Sequence, residues 1–190
     1  MPRIVGLAYA SKLYRNNKNL SDMENFSING NEVVFGTIGD ASTSEGHFWE
    51  AINACGVLQV PLVMSIWDDG YGISVPSEYH TTRNDLSKAL SGFQRSSKKE
   101  NGYEIFTVHA WDYINLLKTY QKAEKLARED HVPCIIHVKD VTQPQGHTTS
   151  GSHERYKSKE RLNWEKDFCC IKRMREWIIE NNFASNSEID

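Results

Sequence analysis

Apolar and polar positions along this chain switch between two periods, and the switches mark its elements. Two short apolar runs, Val33 to Ile38 and Leu62 to Trp67, each stop at a turn. The first ends in Gly39-Asp40 and the second in Asp68-Asp69-Gly70. Between them, Ser44 to Val57 has helical character, opening at Ser44-Glu45 and placing Ala51, Ala54 and Cys55 toward a sheet. Strand, helix and strand within so short a span predict one right-handed βαβ crossover with parallel strands. Tyr103 to Val108 and Pro133 to Val138 read as a third and a fourth strand, the fourth buried. Asp112 to Asp130, between those two, holds Ile114, Leu117, Tyr120, Ala123 and Ala127 in helical register.

The flanks follow the same rules. Pro2 sits in the first turn of a helix that carries Ile4, Val5, Ala8 and Ser11 and ends near Asn16-Asn17. Asn16 to Gly30 is polar and turn-rich, a surface loop. Gly70 to Pro76 reads as a glycine-rich loop suited to ligand contact. Thr82 to Phe93 reads as a short helix with Asn84-Asp85 near its start, and Thr142 to Ser152 as a loop. Leu162 to Asn181 predicts one final helix, with Trp164, Phe168, Ile171, Met174, Trp177 and Ile178 as its apolar residues. Residues 186–190 are expected to fray. The alternation predicts an α/β fold, a three-layer, doubly wound, mostly parallel sheet.

Composition narrows the function classes. A chain of 190 residues suits one domain with a sizeable core. A net charge of −3 with mixed signs gives no nucleic-acid footprint, and Arg95 to Lys99 reads as a solvated basic run. No apolar run approaches the roughly 18 residues of a membrane span, and the opening residues do not read as a signal peptide. Cys55, Cys134, Cys169 and Cys170 form no CxxC pair; the first two read as buried thiols and the set fits a reducing cytoplasm.

The chemistry lies at the strand ends. In a parallel βαβ unit both strands point their C-termini to one edge, so Asp40 and Asp69 converge on the crevice where open α/β sheets bind ligands. Two carboxylates there repel each other unless a cation lies between them. One or two carboxylates suit Mg²⁺ that is held partly by a phosphate. Asp40 taken alone reads better as a cap on the crossover helix; it is the pairing with Asp69 that favours a metal.

Gly39-Asp40, a helix, then Asp68-Asp69-Gly70-Tyr71-Gly72-Ile73-Ser74 resembles the thiamine-diphosphate motif, GDG followed some thirty residues later by NN. With Glu45, Gly46, Phe48, Glu50, Ala51 and Asn53 it is similar to the E1 α subunits of 2-oxoacid dehydrogenase complexes. Ala41 stands where the second glycine falls, and Asp68-Asp69 replaces the Asn pair. Asp69 keeps a ligand oxygen and adds negative charge. The resemblance implies thiamine diphosphate (ThDP) and Mg²⁺ as cofactors, with Asp40, Asp69 and the backbone carbonyl of Tyr71 as metal ligands. It implies Ala41 and Ser42 as donors to the diphosphate, whereas Asp68 reads as a neighbour that orients the turn. His147, in a Gly-His-Thr sequence where relatives carry a GHS-type one, is the implied catalytic and cofactor-facing residue; His153 is a weaker candidate. Thr148, Thr149 and Ser150 occupy the loop that some relatives phosphorylate. His47, His80, His109, His131 and His137 have no metal-type spacing and read as core or surface residues. Trp67, Trp111, Trp164 and Trp177 read as packing residues.

The resemblance further implies oxidative decarboxylation of a 2-oxoacid and acyl transfer to the lipoyl group of an E2 partner. Residues 1–155 are then expected to form the ThDP- and Mg²⁺-binding domain. Residues 156–190 supply a C-terminal helix packed on it or on a partner. In such enzymes the glutamate that activates the cofactor comes from a pyrimidine-binding domain, here an E1 β subunit or a fused β half. Met1-Pro2 leads straight into a helix that lies well inside E1 α subunits, so the chain is expected to be a fragment or half of a fused E1, inactive alone. Two other classes remain open: a transketolase-like transferase, and a non-catalytic remnant acting as an interaction module.

Overall fold

The computed structural model describes residues 1–20, 22–148 and 151–190. Helix α1 (Pro2–Asn16) carries proline in its first turn and buries Ala8 and Ser11. Strand β1 (Val34–Gly39), helix α2 (Gly46–Leu58) and strand β2 (Leu62–Trp67) form the crossover unit that the periodicity predicts. A small hairpin, β3 (Tyr71–Gly72) and β4 (Val75–Pro76), follows, then helix α3 (Leu86–Ala89). Strand β5 (Glu104–His109), helix α4 (Tyr113–Asp130) and strand β6 (Cys134–Lys139) form a second crossover. Helices α5 (Lys159–Asp167), α6 (Cys170–Glu180) and α7 (Asn186–Ile189) close the chain.

The main sheet has the order β1-β2-β6-β5 and is parallel throughout. The two crossovers step along it in opposite directions. Right-handed connections therefore put α2 and α4 on opposite faces, giving three layers. Strand β2 records both faces at once. Met64 and Ile66 join Phe48, Ile52 and Cys55 under α1 and α2, while Val63 joins Ala123, Ala127 and Ile136 under α4. Covered on both sides, the strand reads as one apolar run. Its buried exception, Ser65, is satisfied by the Tyr120 hydroxyl at 2.5 Å.

Several local expectations change. The crossover helix starts at Gly46, because a 3-10 turn over Ala41–Ser44 fills the first turn after β1. Phe48 and Ile52 join Ala51 and Cys55 in the core, and Ala54 is only half-buried. The loop after β2 is a hairpin closed by Ser77 N–H donating to Gly70 O at 2.9 Å. Left-handed backbone at Arg83 and Asn84 breaks the expected Thr82–Phe93 helix, and Asp85 then caps α3 by accepting from Lys88 N–H. The final helix is two helices. Thr142 Oγ1 donates to Phe168 O and accepts Cys170 N–H, both at 3.4 Å, so a distant side chain occupies the break. The last residues, expected to fray, form α7, whose N-terminus is capped by a Ser185–Glu188 box. Trp67 is 53% exposed and thus no core residue, whereas Trp111 and Trp164 both pack on Phe168 and Trp177 on Tyr113 and Phe183.

Candidate functional site

Strands β1 and β2 pair with Gly39 opposite Trp67, and β2 and β6 pair with Trp67 opposite Val138. All three strands therefore leave the sheet together at one edge. A cleft of about 670 Å³ opens there, lined by Asp40, Ala41, Ser42, Asp69, Tyr71 and His147, together with Glu45 and Trp67. The residues implied as cofactor, metal or catalytic groups all line this one cleft, whereas His153, the weaker candidate, does not. Thr149 and Ser150 fall outside the described residues.

Asp40 is 4% exposed, and its backbone N–H continues the ladder to Trp67 O at 3.0 Å. Its main-chain carbonyl accepts from both Thr43 N–H (3.0 Å) and Thr43 Oγ1 (2.5 Å). The side chain caps nothing, and Oδ2 is buried without a hydrogen-bond partner. The simple capping role is therefore not the one seen. Burial first, then the negative charges of Asp68 and Asp69, push this carboxyl up to about 7. A buried anionic oxygen with two like-charged neighbours is relieved either by a proton or by a cation.

The adjoining acids differ. Asp68 Oδ1 accepts Gly70 N–H at 2.8 Å and Oδ2 pairs with His137 Nε2 at 2.7 Å. Burial works against the Asp68 anion, yet its interactions with His137 and the Gly70 amide hold it below the usual carboxylate range. His137 is fully buried, and its Nδ1 meets Ser87 Oγ at 2.6 Å, which in turn meets Thr107 Oγ1 at 2.9 Å. Asp69 Oδ1 accepts Tyr71 N–H at 3.1 Å. Burial raises the Asp69 carboxyl, only partly offset by that amide and by Lys157 and Arg161.

Among the described residues no three His, Cys, Asp or Glu side chains form a ready-made metal cage. The donor set at the cleft, carboxylate and carbonyl oxygens, is that of a hard divalent cation that takes further ligands from a bound anion. Asp40 with its unpartnered oxygen fits such a group. The Ala41 substitution also finds a structural place. A Cβ added at Gly72 would meet Ala41 Cβ at 2.9 Å, so the methyl lies against the hairpin glycine. His147 is exposed on the cleft wall beside Gly146, whose positive φ of 72° and contact with the His153 ring leave no room for a side chain.

Sequence reasoning missed His137, Lys157, Arg161 and Glu165. His137 lies in an apolar run and was read as a plain core or surface residue. Lys157 and the α5 residues bear no motif. Their only sequence signal is an Arg-Glu pair four apart, which is common on exposed helices.

The fold and cleft define an α/β protein whose acidic site sits at the C-terminal edge of a parallel sheet. The family model described as Dehydrogenase E1 component matches residues 1–190, and the chain belongs to that family. The pyruvate dehydrogenase E1 component subunit alpha of Rickettsia bellii (strain RML369-C) is 27% identical over 159 residues, covering 84% of this chain and 46% of the relative. The mitochondrial 2-oxoisovalerate dehydrogenase subunit alpha of Mus musculus is 24% identical over 185 residues, covering 96% and 36%. The chain thus spans less than half the length of these curated relatives. A transketolase from Campylobacter jejuni aligns with a TM-score of 0.56 at 18% identity, covering 86% of this chain and 23% of that one, a likeness of fold.

Proposed function

We propose that the chain is the diphosphate-anchoring part of a 2-oxoacid dehydrogenase E1 α unit. Its cofactors are then ThDP and Mg²⁺. The observation that carries this is the buried, unpartnered Asp40 oxygen on the cleft it shares with Asp69 and Tyr71, in a member of the E1 family. Asp40, Asp69 and the Tyr71 carbonyl would hold the cation. Ala41 and Ser42, in the turn that feeds α2, would donate to the diphosphate. His147 would face the substrate and steady charge there. Bound ThDP supplies the electron sink that lets a 2-oxoacid lose carbon dioxide.

The chain's own share is to neutralise and orient the diphosphate at the sheet edge and to place His147 beside it. The activating glutamate would come from an E1 β subunit or fused β half, and the acyl group would pass to an E2 lipoyl domain. Residues 1–155 then form the binding domain, with 156–190 attached as a helical segment. With four free thiols, a reducing cytoplasm is the proposed location. Among the described residues no helix is long and apolar enough to cross a membrane.

Calorimetric titration with ThDP, with and without Mg²⁺, tests the anchor. Binding that needs Mg²⁺ supports it, and no binding at millimolar ThDP would leave the non-catalytic reading standing. Supplying a β partner should then release carbon dioxide from a 2-oxoacid; turnover of ketose phosphates instead would make it a transferase.

A further inference from the structure

Helix α5 reaches the cleft through a buried charge cluster that no cleft motif contains. Ser158 caps the helix by accepting Arg161 N–H at 3.1 Å, and Arg161 and Glu165 follow one turn apart. Glu165 is fully buried and Lys157 only 5% exposed. Lys157 Nζ (2.7 Å) and Arg161 Nε (2.8 Å) both donate to the same oxygen, Glu165 Oε1. Two cations on one buried carboxylate leave a surplus positive charge, an expensive arrangement where apolar packing would serve stability as well.

What apolar residues could not do is done by the far end of the guanidinium. Arg161 Nη2 donates to the Asp69 carbonyl at 2.7 Å. The Tyr71 ring lies 5.6 Å from the Arg161 guanidinium, 5.2 Å from Lys157 Nζ and 5.8 Å from the Tyr156 ring. The two residues flanking Gly70 in the turn after β2 are thus gripped from one side, Asp69 by its main chain and Tyr71 by its ring. Gly70 itself has a φ of 79°, a conformation that a free loop would leave readily.

We propose that Arg161, seated on Glu165 and Lys157, is a positioning residue that holds the Asp69–Tyr71 turn in its cleft-facing shape. The guanidinium bridges a carboxylate and a carbonyl at once, a fork that the point charge of a lysine does not reproduce. The clamp rests on the reading above only for what it presents, the Asp69 carboxylate and the Tyr71 carbonyl to Mg²⁺.

Two readouts on Arg161→Lys, with Arg161→Met as the harsher variant, test it. In Arg161→Lys the Gly70 and Tyr71 amides should exchange with solvent about tenfold faster than in the unaltered chain, with β2 amides unchanged. The Mg²⁺ concentration giving half-maximal ThDP binding should rise about tenfold, as for loss of an outer-shell partner. The core variant Ile135→Val, remote from the turn, should move neither. Unchanged exchange in Arg161→Lys overturns the clamp, as does an unchanged Mg²⁺ midpoint where ThDP binds. If the unaltered chain binds no ThDP, the reading above fails and the exchange rates alone decide the clamp.

Discussion

The turn after β1 and the turn after β2 meet at one cleft, both continue the sheet ladder and both present aspartate, but their carboxylates are satisfied to opposite degrees. The first is held through its backbone: the ladder to Trp67, the Thr43 bonds to the Asp40 carbonyl, and the 3-10 turn beyond. Its carboxylate is left buried with one oxygen unpaired. The second has its own ladder, Asp68 N–H to Val138 O at 2.9 Å and Val141 N–H to Asp68 O at 3.0 Å. It adds side chains from elsewhere, His137 from β6 and Arg161 from α5, so that Asp68 has a partner on each oxygen. A site that must take up a cation needs one unsatisfied group on a rigid base, and neighbours already committed to partners. The contrast assigns the open role to Asp40 and the bracing role to Asp68.

The largest effect expected from breaking this contrast is at Asp40. Asp40→Ala should weaken Mg²⁺-dependent ThDP binding roughly a thousandfold, about 4 kcal/mol, by calorimetry. Without cation the sign reverses. The folded-state carboxyl sits at about 7 against 3.8 for a free one, so folding favours its neutral form. The stability it carries is full below the free value and is lost as pH rises through about 7. Cation-free Asp40→Asn should therefore be the more stable protein above that pH, by about 1–3 kcal/mol in urea unfolding. The gap should close in acid; a variant less stable throughout would mean that Asp40 is already satisfied.

Next in size is the brace. His137→Ala strips a partner from Asp68 and from Ser87 and opens a cavity beneath the sheet edge. A loss of about 3 kcal/mol is expected in denaturant unfolding. A loss under about 1 kcal/mol would show that the second turn does not depend on the His137 side chain.

The smallest effect concerns the contact between the two turns. Gly72→Ala should cost about 1–2 kcal/mol because its methyl meets that of Ala41. Ala41→Gly in the same chain should restore most of it. Equal costs in the presence and absence of Ala41 would mean the turns do not touch as described.

Legibility in the sequence followed the range of the forces involved. The strand-helix-strand spacing and the Asp40 and Asp69 placements were readable, because parallel pairing puts the ends of neighbouring strands on one edge. The hairpin after β2 was not, since its two-residue strands are too short for alternation to register. The break between α5 and α6 was hidden as well. The apolar spacing from Trp164 to Ile178 continues across it, and Thr142, far away in sequence, supplies the groups that fill it. His137 looked like an ordinary member of an apolar strand because its partners come from the turn after β2 and from α3.

The sequence by itself determined the layers, the parallel strands and the convergence of Asp40 and Asp69 on the cleft, because hydrophobic period and chain direction are local properties of the chain. Only the tertiary structure decided which carboxylate is satisfied and which is open. Hydrogen-bond partners and desolvation depend on what folding brings alongside, and His137 and Arg161 lie 69 and 92 residues from the acids they hold.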